Sequence, residues 1–418
     1  MKPTRIVVIG GGFAGVNFIR QLAGNEAFEI TLVDRNNYNF FPPLLYQVAT
    51  GFLTMSNISY PFRKLFRKHK NVHFRLAELI ALHPEQNQVE TSTGIIGYDM
   101  LVLAMGTETN YFGMENVKRL AVPMKTVSDA LALRNYLLLQ LERASIEQDP
   151  EERKRLMTIV VAGGGPTGVE ISGMLAEMRK RIFRLDYPEL DINDMDIHLV
   201  DALPTVLAPM SKASQTDTLS YLQQLNVKVT LNKQVKDYVN EEVLFADGSK
   251  IHTRTLIWTA GVSATPLRGL PESCFGKGKR LLVDIFNKVA GTANIYAIGD
   301  NCLQSGDPAF VNGHPQLAQV AIQQGRVLAK NLLKKGESWA EFRYNDKGSM
   351  AIVGNFKAVA DLPKLHFKGF IAYMMWLAVH LFSLTRYRNR VKTLMNWAWA
   401  FFTRDQALRY IVREKKSS

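Results

Sequence analysis

Two short runs of this sequence are built from residues that suit phosphate chemistry. Gly10, Gly12 and Gly15 follow the spacing GxGxxG, and Gly163, Gly165 and Gly168 repeat it. In such a run the first glycine permits a tight turn and the second lets backbone approach a pyrophosphate. The third lets helix pack on strand, and the bare N–H groups of the helix N-terminus face the phosphates. One GxGxxG is a weak signal. Here each follows an apolar strand-like run, "RIVVIG" or "TIVVAG", opens a helix-like run, and leads to an aspartate ending the next strand, Asp34 or Asp201. That context reads as two dinucleotide sites.

The carboxylates refine the reading. Asp34 and Asp201 suit ribose hydroxyls. The alternative for Asp201 is that it caps the following "ALPTVLAPM". A 2′-phosphate there would meet a like charge with no arginine beside it, so the second site is expected to take NADH over NADPH. Two dinucleotides in one chain suggest electron transfer between them, and a flavin is the natural relay. In "AIGD", Asp300 falls at a strand end just before a helix, where it suits a ribityl hydroxyl or serves only the turn. Gln319 and Gln323, four apart, share a helix face, whose plain reading is an exposed surface.

These residues require elements to position them. Residues 5–34 and 158–201 each read βαβ, which implies parallel sheets with right-handed crossovers. "RLDYPELDINDMD" interrupts the second unit as a loop. "YDMLVLAMGTETN", "TRTLIWTAGVSATP" and "ANIYAIGDNC" are strands running into small-residue turns, and residues 227–248 look like hairpin strands. The expected fold is α/β, with two Rossmann-like dinucleotide-binding domains, the second inserted in the first. Residues 1–120 and 271–365 form the first, 121–270 the second, and 366–418 a C-terminal helical membrane-binding segment. "TVSDALALRNYLLLQLERA" is the connecting helix.

Composition narrows the class. With 47% apolar and 21% charged residues the chain is globular, and 418 residues suffice for two or three cores. Cys274 and Cys302 are the only cysteines, without a CxxC, so a reducing compartment is expected, and no zinc site or redox dithiol. No signal peptide is visible. The net charge of +13 invites an anionic partner. The cluster "FRKLFRKHK" reads as a solvated helix end. From residue 366 onward ten Lys/Arg face two acidic residues, interleaved with Trp and Phe, which suits lipid better than nucleic acid. The apolar run 369–385 is at the short limit for a spanning helix. Val391, Leu394, Met395, Ala398, Phe401 and Phe402 recur at helical spacing, with Trp397 and Trp399 among them, as in a helix lying in the interface. A dimer or core helix and a single span are the alternatives. No set of long apolar segments suggests a proton pump.

Together, "GGGFAGV", the "AMG" and "TAG" turns, "GGGPTGVE" and "AIGD" resemble the flavoprotein reductases with two dinucleotide-binding domains. "NYNFFPPLLYQVATG", "AQVAIQQG" and the Arg-rich tail resemble, more narrowly, the type II NADH dehydrogenases. The resemblance covers essentially the whole chain. It implies an FAD-dependent NADH:quinone oxidoreductase of a respiratory chain, peripheral on the cytoplasmic face of the cell membrane, with a membrane quinone and an anionic lipid surface as partners. FAD would be held by Gly10, Gly12, Ala14, Gly15, Asp34, Arg35, Leu44, Leu79, Ala104, Gly106, Gly299, Asp300 and Ala318. NADH would be held by Gly163, Gly165, Thr167, Gly168, Glu170, Asp201 and Gly261. Quinone would meet Gln319, Ile322 and Gln323. Glu170 would lie near nicotinamide and flavin as the catalytic residue, its alternative being a salt bridge at a domain contact. No metal and no nucleic acid is implied, and a homodimer stays open. "AMG" stands where many relatives carry "ATG", and Cys302 beside Asp300 keeps a sulfide:quinone oxidoreductase as a rival. A flavoprotein in which NADH tunes a binding role is the rival of another class.

Overall fold

The computed structural model describes residues 2–334, 338–403 and 409–412. In chain order the elements that matter here begin with β1 (Thr4–Ile9), α1 (Phe13–Leu22), β2 (Phe28–Asp34), β3 (Val72–Leu76) and β4 (Met100–Leu103). Next come β5 (Val122–Pro123), α2 (Val127–Ile146), β6 (Ile159–Ala162), α3 (Pro166–Met178) and β7 (Ile197–Val200). Then follow α4 (Lys212–Gln224), β8 (Lys228–Thr230), β9 (Val235–Val239), β10 (Glu242–Phe245), β11 (Lys250–His252) and β12 (Thr255–Trp258). The last are β13 (Ile295–Ala297), α5 (Ala318–Leu333), β14 (Ser349–Gly354), β15 (Lys357–Leu362), β16 (Leu365–Lys368), α6 (Gly369–Ser383) and α7 (Tyr387–Thr403).

Two five-stranded sheets carry the fold. Their orders are β13-β4-β1-β2-β3 and β5-β12-β6-β7-β8, all parallel. The central strands explain why. "IVVI" of β1 and "IVVA" of β6 are buried at every residue, as a strand covered on both faces must be. Each sheet has a glycine turn after its middle strand and an aspartate at the end of the strand beside it.

The chain divides into two compact units. The first comprises residues 1–40, 60–108 and 262–346; the second comprises 41–59, 109–261 and 347–418. These limits differ from the sequence expectation in several places: residues 109–120 fall in the second unit, 262–270 in the first, and 366–418 join the second where a separate segment was expected. Residues 41–59 leave the first unit because Tyr46 and Gln47 pack on the C-terminal helices, and residues 347–365 leave it because β14 packs on α3. Gly173 of α3 lies so close to Val353 that a Cβ there would sit 1.6 Å from the Val353 carbonyl oxygen. Residues 228–230, expected in a hairpin, instead form the parallel edge strand β8. The hairpin begins at β9.

No helix among the described residues is long and apolar enough to cross a membrane. Helix α6 buries Ala372 and Trp376 while exposing Phe370, Ile371, Met374, Val379 and Phe382. In α7 the pattern is inside-out: Asn389 and Thr393 are buried, whereas Leu394, Met395, Trp399, Phe401 and Phe402 are exposed. Asn389 earns its burial by donating from Nδ2 to the carbonyls of Asn57 (2.8 Å) and Ser59 (3.1 Å). Residues 404–408 and 413–418 of the tail lie outside the described residues.

Candidate functional site

In the first unit, Gly10 turns with φ +100°, and a Cβ there would lie 2.3 Å from the Ala104 carbonyl oxygen. No other residue type combines that backbone with that approach. A Cβ on Gly15 would lie 2.0 Å from the Gly10 carbonyl oxygen, so helix packs directly on turn. Around Gly12, by contrast, the space is open, no side chain caps α1, and its first turn carries no acidic residue. That cradle fits a pyrophosphate at the helix N-terminus. Asp34 accepts the Gly11 amide (2.7 Å) and the Asn36 amide (2.7 Å). Burial raises its carboxyl above the ordinary value, opposed by those amides and by Arg35. Asn39 Nδ2 donates to the Gly11 carbonyl (2.8 Å), fixing the turn from a third side.

A late segment completes this seat. β13 leads into Gly299 and Asp300, and the Asp300 carbonyl accepts Gln316 Nε2 (2.9 Å). Gln324 of α5, buried, accepts the Gly299 amide on Oε1 (2.7 Å). A Cβ on Gly325 would lie 2.5 Å from the Ala14 carbonyl oxygen, so α5 lies tight against α1. Gln324 was not singled out in the sequence; "QQ" places two amides on different helix faces, and only that split hints at it. Ala104 and Gly106 follow β4, and the Gly106 carbonyl accepts the Thr265 amide (3.4 Å). Arg35 is exposed, Leu79 and Ala318 are half-buried, and Leu44 is buried in the second unit.

The second turn repeats the first. Gly163 has φ +113°, and a Cβ would lie 2.7 Å from Ala260 backbone. On Gly168 a Cβ would lie 1.8 Å from the Gly163 carbonyl oxygen, and around Gly165 the space is open. α3 has no side-chain cap and no acid in its first turn, where Thr167 is exposed. Asp201 accepts the Gly164 amide and, on its other oxygen, the Leu203 amide (2.7 Å). It therefore does cap the next segment, while remaining at the position of Asp34.

Glu170 is buried on α3, and burial raises its carboxyl well above the ordinary range. The groups that oppose this are the Ile352 amide and the Trp376 indole, neither of them a cation. The indole N–H lacks a regular hydrogen-bond partner, so it acts on the carboxyl at less than ideal geometry. Around the pair lies a buried aromatic group within the second unit. Trp376 meets Tyr46 edge-on at 6.3 Å and stacks on His380 at 3.8 Å, while Trp397 Nε1 donates to Gln47 Oε1 (2.8 Å). Burial lowers His380 to about 4, so it is neutral at physiological pH. Tyr46, Trp376 and His380 were not foreseen as a group from the sequence: the apolar run hides Trp376 and His380, and Tyr46 lies over 300 residues away in the chain.

On α5, both ends of the Gln323 amide are taken up by Asn345: Nε2 donates to its carbonyl (2.9 Å) and Oε1 accepts its amide (3.0 Å). Gln323 is thus tied to residue 345. Gln319 and Ile322 are half-buried beside it. The cysteines are both free and buried, and burial pushes Cys302 up to about 11, the state of an inert thiol. Among the described residues no group of His, Cys, Asp and Glu is placed to hold a metal.

The pyridine nucleotide-disulphide oxidoreductase profile matches residues 4–325, and the NDH2 C-terminal domain profile matches 347–405. Type II NADH:quinone oxidoreductase NdhA of Mycobacterium tuberculosis is 35% identical over 96% of this chain and 87% of its own. This chain belongs to the type II NADH:quinone oxidoreductases. The Ndh protein of the same organism is 34% identical over 96% of the chain and 88% of its own. Among solved structures, that of NDH2 from Plasmodium falciparum in complex with NADH has a TM-score of 0.89 at 22% identity, covering 99% of this chain and all of that one. The sulfide:quinone oxidoreductase of Aquifex aeolicus shares the fold at a TM-score of 0.73 and 19% identity, covering 96% of each chain. For a type II enzyme the two buried, unactivated cysteines pose no problem. They do not suit the sulfide chemistry.

Proposed function

We propose that this chain oxidises NADH with a bound FAD and delivers the electrons to a membrane quinone; the names of its relatives, NADH:quinone oxidoreductases, support the donor and the acceptor. One observation carries the division of labour: the same sheet and glycine turn occur twice, but only the first is completed by Gly299, Asp300 and α5. Bound FAD supplies a hydride acceptor that can hand on two electrons. Gly10, Gly12, Ala14 and Gly15 approach its pyrophosphate, Asp34 and Asp300 take its hydroxyls, and Ala104 and Gly106 flank it, with Arg35, Leu79 and Ala318 around it. Gly163, Gly165, Thr167, Gly168 and Gly261 line the NADH dock, and Asp201 takes the adenosine ribose and rejects a 2′-phosphate. Glu170, whose burial disfavours the ionised form, serves as a proton carrier in the reduction of quinone. Gln319 and Ile322 form the quinone side, and Gln323 holds the 345 segment next to it. Anaerobic titration tests this: NADH should bleach the flavin and a short-chain quinone should restore it. Bleaching by sulfide but not by NADH would reverse the assignment.

The exposed apolar sides of α6 and α7 support a lipid surface as partner. A helix that buries Asn389 and Thr393 and exposes Leu394, Met395, Trp399, Phe401 and Phe402, with Arg386, Arg388, Arg390 and Lys392 at its start, suits the interface of an anionic bilayer better than water. The expected place is the cytoplasmic face of the cell membrane, where a lipid-dissolved quinone is within reach. Flotation with anionic vesicles, weakened by salt, is the expected result. A protein that ignores vesicles and elutes as a stable dimer would show that a second copy covers this face.

A further inference from the structure

We infer that Phe112 is a positioning residue for the nicotinamide half of NADH, its ring held at the β12 flank of the second glycine turn. This rests on reading that turn as the NADH dock. Phe112 is 61% exposed and has φ +51°, a left-handed backbone that is unfavourable for a bulky side chain. An exposed ring has no core to fill, and strain of this kind persists where the surroundings enforce it. Here they do. Asn110 Oδ1 accepts the Phe112 amide (2.8 Å), the Asn110 amide donates to the Gly261 carbonyl (3.1 Å), and the Asn110 carbonyl accepts Trp258 Nε1 (2.8 Å). Tyr111 stacks on Trp258 at 6.2 Å, and Phe112 meets the same indole edge-on at 6.5 Å.

The ring fills the space that a missing side chain leaves. A Cβ on Gly261 would lie 2.8 Å from the Phe112 ring, and the preceding residue, Ala260, is the backbone on which Gly163 turns. Ring, Gly261, Ala260 and glycine turn therefore form one continuous wall. Sheet order gives its direction. β6, with the glycine turn, lies between β7, which ends at Asp201, and β12, which leads to Gly261. A dinucleotide with its adenosine ribose on Asp201 and its pyrophosphate on the turn must extend its other half toward β12. Phe112 offers that half a flat apolar surface, of the kind aromatic pairs use.

The test compares Phe112→Gly with wild-type holoprotein, using NAD+ and ADP-ribose, which lacks only the nicotinamide, as calorimetric probes. Glycine favours the left-handed backbone, so thermal stability should hold or rise although the ring is gone. NAD+ should bind roughly three- to tenfold more weakly, the range expected for a lost aromatic contact. ADP-ribose should bind unchanged, and Phe112→Tyr should bind NAD+ as wild type does. Unchanged NAD+ affinity, or equal weakening of both ligands, would overturn the inference while leaving the dock intact. Asp201→Ala separates the two failures: it should weaken both ligands, and if it weakens neither, the dock assignment itself falls.

Discussion

In the first sheet the strand beside β4 is β13, which arrives late in the chain and delivers Gly299, Asp300 and the tight helix α5. In the second sheet the corresponding place beside β12 is held by only Val122 and Pro123, which come early and lead into α2. The acid that follows them, Asp129, is spent on a capping box with Thr126: it accepts the Thr126 amide (2.8 Å) and the Lys125 amide (3.0 Å). The two turns are otherwise alike in dihedral, close approach and aspartate. A glycine turn alone therefore specifies a dinucleotide, and the fifth strand decides how firmly it is kept. The first seat is bordered by three segments of chain and suits a resident cofactor. The second lacks that third segment and suits a ligand that comes and goes.

The largest effects should come from the closest approaches. Gly15→Ala, with its Cβ 2.0 Å from the Gly10 carbonyl oxygen, should yield protein without flavin absorbance. Gly168→Ala, equally crowded, should keep its flavin yet lose roughly 10²-fold in kcat/KM for NADH, the order of cost expected when reacting groups are misplaced by about 1 Å. If both variants lose flavin, the two turns are not independent and the comparison fails.

Next is Glu170→Gln. Quinone-dependent turnover should fall about ten- to a hundredfold while rapid bleaching of flavin by NADH stays nearly unchanged, as loss of a proton-transfer group requires. The carboxyl also links to stability. Its folded-state value is raised above 4.5, so the stability it contributes is present below that value and lost as pH rises through the raised one. Thermal melts should show wild type losing ground to Glu170→Gln as pH climbs above the carboxylate range. Parallel curves would contradict a buried neutral acid. At the second aspartate, Asp201→Ala should raise KM for NADH about tenfold, in line with losing a hydrogen bond to a charged group, and should narrow the preference over NADPH. An unchanged NADPH ratio would leave Asp201 as a cap only.

What could be read from the sequence was local. Each βαβ unit places its glycine turn and its aspartate within about forty residues, and the alternation of strand and helix forces them to one edge of a parallel sheet. The environment of Glu170 was not local. Its neighbour Trp376 lies in an apolar run that reads as lipid-facing throughout, because burial of Ala372 and Trp376 and exposure of Phe370, Ile371 and Phe382 involve the same residue class. Likewise Gln323 and Gln324 are adjacent and chemically identical, yet one ties down residue 345 and the other holds the Gly299 turn.

The smallest effect belongs to a clasp between β16 and α4. His366 on β16 bonds Asp361 (2.9 Å) through Nδ1 and Asp217 of α4 (3.1 Å) through Nε2, and Lys368 also binds Asp217 (2.9 Å). Burial alone would lower the imidazole, but the two carboxylates prevail and raise it above 6.5. Its contribution is therefore present below 6.5 and lost as pH rises through the raised value. Relative to His366→Gln, wild type should be the more stable at mildly acidic pH, with the advantage fading as pH rises. A pH-independent difference would mean the carboxylates do not protonate it. Neither turn should respond, which separates this clasp from the chemistry.

The difference between a resident and an exchanging dinucleotide is tested most directly by gel filtration of the holoprotein after anaerobic mixing with NADH. The flavin should bleach and remain with the protein while nicotinamide nucleotide elutes separately, and Gly168→Ala should retain its flavin while bleaching roughly 10²-fold more slowly at low NADH. Flavin and nicotinamide nucleotide leaving the column together, or flavin lost while nicotinamide nucleotide stays, would contradict the account.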